Sequence, residues 1–243
     1  MPDSILLPGE KRITLDLGDF GLPEVPLFGV HSQTRARKGL EPHLHPGAME
    51  ICHLVKGEHV FHVAGRDYRM RGGEVFWTGG EEEHGSGRHP YGRGLLYWLQ
   101  VKLPRAGRGF LGLDPKAARP LVAALGSLPR RLFPGARRLK TLFEEVMEKC
   151  RGPQRALKPL AISTGLVEWL RLIVECAELA GESEYSGDIA RALQLVAEGP
   201  GENLSVADLA RAALLSESRF KVKFRAEVGM PPREYVLRHK IEL

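Results

Sequence analysis

HLHPGAMEICHLVKG, residues 43–57, is the stretch of sequence that decides the fold. It places His43 and His45 two positions apart and follows them with Glu50 at the start of an apolar run. Side chains two apart on an extended strand share one face, so the two imidazoles can converge on one point. A return strand after the Pro46–Gly47 turn would bring the Glu50 carboxylate back toward the histidine pair. The stretch therefore predicts paired strands that carry a binding site.

The residues around this stretch, 1–103, have the pattern of many short β-strands. EHVFHVAG alternates polar and apolar side chains before a turn, and YRMRGGEVFWTGG gives two strands joined by a Gly-Gly turn. Turn signals recur about every ten residues, which is typical of small antiparallel sandwiches and barrels. We predict an all-β domain over this range.

A fourth residue of the ligand type, His84, follows the strand and glycine turn of GEVFWTGGEEEHGSG. Imidazoles with one carboxylate suit a divalent transition metal: Zn, Fe, Mn, Ni or Cu. They suit the polar groups of an organic ligand equally well. The predicted metal-binding or ligand-binding set is His43, His45, Glu50 and His84. Aromatic residues of the same domain could line a pocket beside it, although such residues are more often plain core. The pocket candidates are Phe61, Trp77 and Trp98.

Beyond residue 103 the pattern becomes helical. Residues 104–135 hold five prolines, so they are predicted to form a connector with short helical pieces rather than one long helix. Residues 136–180 then give two amphipathic helices. In the second helix Leu166, Leu170, Ile173, Ala177 and Ala180 alternate three and four apart, as in the seam of a coiled coil. The spacing fits a dimer interface and fits equally a helix that packs on its own domain.

The C-terminal segment, residues 204–240, has the pattern of a helix-turn-helix. Ser205 is a predicted N-cap with Asp208 in the capping-box position, and alanines in the following helix permit close approach of a second helix. Ser216 is the next predicted N-cap, and the helix that it opens ends at Gly229.

The two faces of this last helix differ in chemistry. Phe220 and Phe224, four apart, are predicted to face inward. A basic helix held by a preceding helix is the design that enters the major groove, where Arg and Lys meet phosphates or guanine edges. The predicted DNA contacts on the opposite face are Ser218, Arg219, Lys221, Val222 and Arg225.

Charge and cysteine content agree with a nucleic-acid partner in a reducing compartment. The net charge is +5, and residues 219–240 carry seven Lys/Arg against two acids. The three cysteines form no metal-type pair and no disulfide framework is expected. We find no apolar run of the length that a signal peptide or a membrane span needs, so a cytoplasmic protein without a membrane partner is expected.

The four ligand-type residues resemble the cupin family. Its first motif has the spacing of His43, His45, Glu50 and Gly57, and its second motif matches at Gly73 and His84. The second motif departs from the family pattern in its turn, where Gly79 replaces Pro and Glu81 replaces Gly, and at its end, where Arg88 replaces Asn. The resemblance implies a barrel in which these side chains bind a metal or the polar groups of a sugar or acid.

The whole chain resembles AraC/XylS-type transcriptional regulators. The similarity runs from the cupin-like residues 20–103 to the segment 187–243, which includes Gly229 and Tyr235 of that family's G-x-P…Y pattern. The resemblance implies a non-enzymatic homodimer, an effector (a sugar first of all) in the barrel, and promoter DNA on the helix-turn-helix. Ser218, Lys221 and Val222 match base-facing positions and Arg225 a phosphate contact. The family's second helix-turn-helix has no counterpart, which implies a form truncated in the linking helix.

The predicted fold class is therefore α+β. It consists of a cupin-like β-barrel at 1–103, a helical connector at 104–186 that could carry a dimer interface, and a helix-turn-helix at 187–243. Two other functions stay open at this point. One is a metal-dependent cupin enzyme, a dioxygenase or isomerase, with a helical appendage. The other is a truncated modulator that heterodimerises with a full-length regulator.

Overall fold

The structure, a computed structural model, describes residues 11–182, 185–198 and 204–241. The chain divides into two compact units, Met1–Glu178 and Leu179–Leu243. The first unit holds an antiparallel sheet followed by helices, and the second is helical, so the α+β prediction is confirmed. Among the described residues, no helix combines the length and the apolar character that a membrane crossing requires.

The sheet of the first unit is antiparallel throughout its described pairings. Its order is β1-β2-β7-β3-β5-β8, and β4 and β6 also pair with β3. The strands are β1 (Lys11–Leu15), β2 (Leu27–Gln33), β3 (Met49–Val63), β4 (Arg66–Arg71), β5 (Glu74–Thr78), β6 (His84–Gly85), β7 (Gly94–Val101) and β8 (Leu132–Pro134).

The long strand β3 connects the two halves of this sheet. Its first half pairs with β5 and β7, and its second half pairs with β4 and β6. The register shifts between Leu54 and Lys56, and Gly57 follows with a φ of 106°. A Cβ at Gly57 would lie 2.2 Å from the Arg93 carbonyl oxygen, so only glycine fits there. The bulge bends β3 and curls the sheet into a cupin-like barrel.

Alternation along the strands points one face of the sheet into the barrel. The side chains of this interior form a buried cluster: Cys52, Leu54, Phe61, Val63, Met70, Phe76, Leu96 and Trp98. Glu50 and Gln100 lie two positions from Cys52 and Trp98, so they project to the same face. The interior thus contains an apolar middle with polar side chains toward one end.

Three helices accompany the β-strands of the first unit: α1 (Pro115–Gly126), which precedes β8, and α2 (Arg138–Arg151) and α3 (Lys158–Glu182), which follow it. The connector predicted at 104–135 contains α1, and Asp114 caps it by accepting hydrogen bonds from the Lys116 and Ala117 amides. It also contains β8, which pairs with β5 and buries Phe133. The sheet therefore extends beyond residue 103, because an apolar segment far along the chain joins its edge.

The residues of α3 that have coiled-coil spacing are buried within the chain itself. Leu166, Leu170, Ile173 and Ala177 are at most 1% exposed. The same helix packs on α2 through Trp169, whose indole donates a hydrogen bond to the Leu139 carbonyl at 3.1 Å. Packing on its own unit is thus the alternative that the structure supports for this stretch.

The second unit contains α4 (Gly187–Glu198), α5 (Val206–Ala212), α6 (Glu217–Val228) and α7 (Pro232–Ile241). Its described buried core comprises Ile189, Ala192, Val196, Leu209, Ala210, Ala213, Phe220, Phe224 and Val236. The predicted capping box of Ser205 and Asp208 is present, and α6 begins after Ser216 and ends before Gly229 in the left-handed conformation. Local cap chemistry therefore sets both helix boundaries as predicted.

Candidate functional sites

The histidines predicted as ligands lie together at one end of the barrel. His43 and His84 form an isolated antiparallel bridge, with N–H to O distances of 2.9 and 2.8 Å. Their ring centroids lie 4.4 Å apart, and the His45 ring lies 5.0 and 5.1 Å from them. One nitrogen of each ring falls within 4.8 Å of the others. The three imidazoles can thus reach one ion.

The strand pairing that brings these side chains together differs from the predicted return strand after the Pro46–Gly47 turn. Residues 43–45 form only the single bridge and then a turn, closed by the Ala48 amide and the His45 carbonyl at 2.9 Å. Glu50 is not on a return strand beside them. It lies in β3 between Thr78 of β5 and Gln100 of β7. Long-range pairing, rather than a local hairpin, brings its carboxylate to the histidines.

Glu50 contacts two of the three imidazoles. Its Oε2 lies 3.0 Å from His45 Nε2, and its Oε1 lies 3.6 Å from His84 Nε2. The residue is 8% exposed, and burial by itself raises the pKa of a carboxyl. The neighbouring side chains of His45, His84 and Gln100 favour the carboxylate form, outweigh that effect and hold the pKa of Glu50 well below its usual range. The site therefore has a buried negative charge.

The ring orientations leave nitrogen lone pairs directed into the cluster. His43 Nδ1 donates to the Glu41 carbonyl at 2.9 Å, and His84 Nδ1 donates to the Glu82 carbonyl at 3.0 Å. Because Nδ1 carries the proton, Nε2 is the atom free to ligate, an arrangement usual for metal-binding histidines. The buried His84 Nε2 has no hydrogen-bond partner among the described residues. The donor set and this unpaired atom fit a divalent transition metal.

Two further side chains reach this site and were missed by sequence reasoning. Gln100 Nε2 donates to Glu50 Oε2 at 3.0 Å and lies 3.0 Å from His45 Nε2. Cys52 Sγ lies 3.7 Å from Glu50 Oε1, and burial together with that carboxylate raises the pKa of the thiol. The available signal for Gln100 was a polar residue within the apolar run RGLLYWLQVKL. Gln100 orients the carboxylate that two imidazoles share.

The predicted pocket aromatics divide between the two faces of the sheet. Phe61 and Trp98 project into the barrel, where Phe61 stacks on Phe76 with ring centroids 4.5 Å apart. Trp77 alternates with Phe76 and therefore points away. Its indole nitrogen donates to the Arg130 carbonyl at 2.7 Å, and the Arg131 guanidinium lies 5.0 Å from its ring centroid. Only Phe61 and Trp98 belong to the interior.

The second unit presents the predicted DNA contacts on one exposed face of α6. Phe220 and Phe224 are fully buried, while Val222 on the other side is 73% exposed. Lys223 does not belong to that face, because its ammonium binds the Asp188 carboxylate of α4. All five predicted contacts are exposed: Ser218, Arg219, Lys221, Val222 and Arg225.

The chain combines two kinds of domain. A cupin-type barrel with three clustered histidines is followed in the sequence by a helix-turn-helix unit. The family model of the AraC-like ligand binding domain matches residues 26–169. The chain belongs to this family.

Curated relatives and solved structures give further similarities. Two proteins named as AraC-like transcription regulators, from Streptomyces antibioticus and Streptomyces lividans, are 38% and 39% identical over 82 residues. Each match covers 32% of this chain and 27% of the relative, so the chain spans about a quarter of the length of those relatives. The AraC-like transcriptional activator CuxR is 13% identical over 99% of this chain and 83% of its own, with a TM-score of 0.45. A predicted oxalate decarboxylase from Thermotoga maritima is 21% identical over 39% of this chain and 92% of its own, with a TM-score of 0.33.

Proposed function

We propose that this chain is a ligand-responsive transcriptional regulator of the AraC type. The barrel binds the effector, and α6 contacts promoter DNA. The observation that carries the proposal is the exposed basic face of α6 in a chain that belongs to the AraC-like ligand-binding family. A homodimer in the cytoplasm is part of the same proposal, because two copies double the phosphate contacts that one helix-turn-helix makes.

The geometry of α6 suits insertion into the major groove. The helix has 12 residues and would span about 18 Å, and a B-DNA major groove about 12 Å wide admits one helix. Burial of Phe220 and Phe224 fixes which side of the helix faces outward. Ser218, Lys221 and Val222 then face base edges. Arg219 and Arg225 contact the phosphates on either side.

The histidine cluster serves binding rather than turnover in this proposal. His43, His45, Glu50 and His84 would hold a divalent transition metal, which would supply a Lewis-acidic centre for an oxygen atom of the effector. The proposed domain roles are a sensor barrel at 1–103, a helical connector at 104–186 whose strand β8 joins the sheet, and a DNA contact at 187–243. A metal-dependent cupin enzyme would use the same four residues. If the unmodified chain turned over a substrate without DNA and His84→Ala abolished that turnover, the chain would be assigned to the metal-dependent cupin enzymes instead.

The proposal predicts that neutralising the α6 face abolishes specific DNA binding. Fluorescence anisotropy with the promoter fragment next to the protein's own gene should show binding at least tenfold tighter than to a coding fragment of equal length. The combined change Arg219→Ala, Lys221→Ala and Arg225→Ala should remove that preference, because it deletes the phosphate and base contacts.

A charge-matched control variant distinguishes the loss of DNA contacts from the effect of a lower net charge on DNA affinity. Arg105→Ala, Arg108→Ala and Lys116→Ala together also remove three positive charges, from exposed positions of the first unit. This control variant should bind the promoter fragment nearly as tightly as the unmodified chain. Equal losses in the two variants would contradict α6 as the DNA contact.

A further inference from the structure

A second group of polar side chains lies inside the barrel and extends from Trp98, the cross-strand neighbour of Cys52, to His59. It is connected by ring contacts: His59 lies 4.3 Å from Tyr91 and His31 lies 6.0 Å from Tyr91, measured between ring centroids. Arg12 of β1 is the cross-strand neighbour of His31, and its guanidinium lies 5.3 Å from the Trp98 ring centroid. Arg12, His31 and His59 come from separate strands, Tyr91 lies in the segment before β7, and together they form one lining.

The strand register places this group on the interior face. Arg12 pairs with His31, and His31 pairs with Leu96, a member of the buried interior cluster. His59 lies two positions before Phe61, another member of that cluster. A Cβ at Gly94 would lie 3.3 Å from His59 Nε2. Gly94 begins β7 and Gln100 lies near its other end, so His59 is separated along this strand from the Glu50 site.

His59 has unused hydrogen-bonding capacity in this interior. The residue is 3% exposed, and neither Nδ1 nor Nε2 has a hydrogen-bond partner among the described residues. Leaving both ring nitrogens unpaired in a buried site costs free energy that a bound ligand can recover. Burial, with a contribution from His31, lowers the pKa of His59 to about 4. A neutral imidazole offers one donor and one acceptor, which matches a hydroxyl group.

Arg12 supplies a positive charge to this lining. In the part of the chain that the structure describes, Arg12 makes no ion pair with a carboxylate. Its guanidinium carbon lies over the Trp98 ring, which approaches β2 so closely that a Cβ at Gly29 would lie 2.5 Å from it. The N–H groups of a guanidinium lie in one plane, and this arrangement fits both oxygens of a carboxylate.

We propose that this part of the barrel is a binding site for a small hydroxy-substituted organic acid. The ligand carboxylate pairs with Arg12, its hydroxyl group hydrogen-bonds to His59, and Trp98 and Tyr91 cover its apolar body. A neutral sugar would leave Arg12 without a counter-charge. The inference rests on the proposed function in taking the barrel as the sensor, and it narrows the effector from any small molecule to an acid.

Isothermal titration calorimetry on the full chain, treated with chelator and free of DNA, tests this site. The probes are 4-hydroxybenzoate, mandelate and galacturonate, each beside a neutral counterpart: 4-hydroxybenzamide, mandelamide and galactose. At least one acid should bind at least tenfold more tightly than its counterpart. Arg12→Gln should weaken that acid at least tenfold, and Arg12→Lys, which restores the charge without the planar fork, should recover part of the loss.

Arg66→Gln is the matched control. Arg66 lies over Tyr68 with 5.1 Å between guanidinium and ring centroid, as Arg12 does over Trp98, but it is exposed on the β3–β4 hairpin. Acid affinity should be unchanged in this variant. The proposal is overturned if none of the three acids binds, if acids and counterparts bind equally, or if Arg12→Gln binds like the unmodified chain. Because DNA is absent, these outcomes are independent of the DNA-binding test.

Discussion

Phe220→Ala is expected to lower the free energy of unfolding of the C-terminal unit by about 3–5 kcal/mol. The Phe220 side chain is fully buried, and its ring centroid lies 5.2 Å from that of Phe224. Units of this size bury little surface and are only marginally stable. The substitution should therefore unfold most of the unit. Hydrogen exchange of the α5 and α6 amides, which reports on this unit separately from the barrel, measures the change.

Val222→Ala provides the comparison on the same helix. Val222 is 73% exposed, so its truncation should change the free energy of unfolding by no more than about 0.5 kcal/mol. Equal destabilisation by the two substitutions would contradict the assignment of inner and outer faces to α6. The same result would remove the basis for an outward-facing DNA contact.

Metal binding at the barrel should depend on His84 more than on any residue outside the cluster. Loss of an outer hydrogen-bonding partner typically costs metal affinity about 10–100-fold, and loss of a ligand should exceed that range. His84→Ala is therefore expected to weaken Zn²⁺ binding by more than about 100-fold. Equilibrium dialysis after purification without chelator or affinity tag gives both stoichiometry and affinity.

His62→Ala is the control for that experiment. His62 lies on the neighbouring strand, but its Nδ1 is engaged with the Asp67 carboxylate at 2.6 Å and it is not one of the clustered histidines. Its loss should leave Zn²⁺ affinity within about twofold, since it contributes no ligand. A stoichiometry near zero in the unmodified chain, or equal affinities in the two variants, would contradict the metal site.

The helix-turn-helix could be predicted in detail because its signals are local. The Ser205–Asp208 capping box and the left-handed Gly229 act within a few residues of the helix ends that they define. Phe220 and Phe224 lie on one face at helical spacing, so their burial follows from the sequence alone. The boundaries and faces of α6 needed no knowledge of the rest of the chain.

The residues of the barrel site could be predicted from the sequence, but the strand pairing that brings them together could not. The spacing of His43, His45, Glu50 and His84 indicated a common site, and the structure brings these residues together. The pairing of Glu50 with Gln100 depends on contacts fifty residues apart, which no local pattern encodes. The same limit explains β8, whose edge pairing joins segments distant in sequence.

The prediction that Trp77 lines the pocket was wrong for a different reason. Aromatic content alone does not reveal which residues of a strand face inward, because the phase of the alternation decides it. In β5 the interior position belongs to Phe76, so Trp77 faces Arg130 and Arg131 instead. A shift of one residue in phase moves a side chain from the pocket to the opposite surface.

The salt dependence of DNA binding tests the regulator assignment most directly. Affinity for the promoter fragment should fall linearly with salt concentration on logarithmic axes, with a slope of about −0.9 per phosphate contact. Loss of Arg219, Lys221 and Arg225 should make the slope shallower by roughly 1.8, because Arg219 and Arg225 are the two phosphate contacts among them, whereas the Arg105, Arg108 and Lys116 control should leave it unchanged. An unchanged slope in the α6 variant, or no binding by the folded chain at any salt concentration, would contradict the assignment.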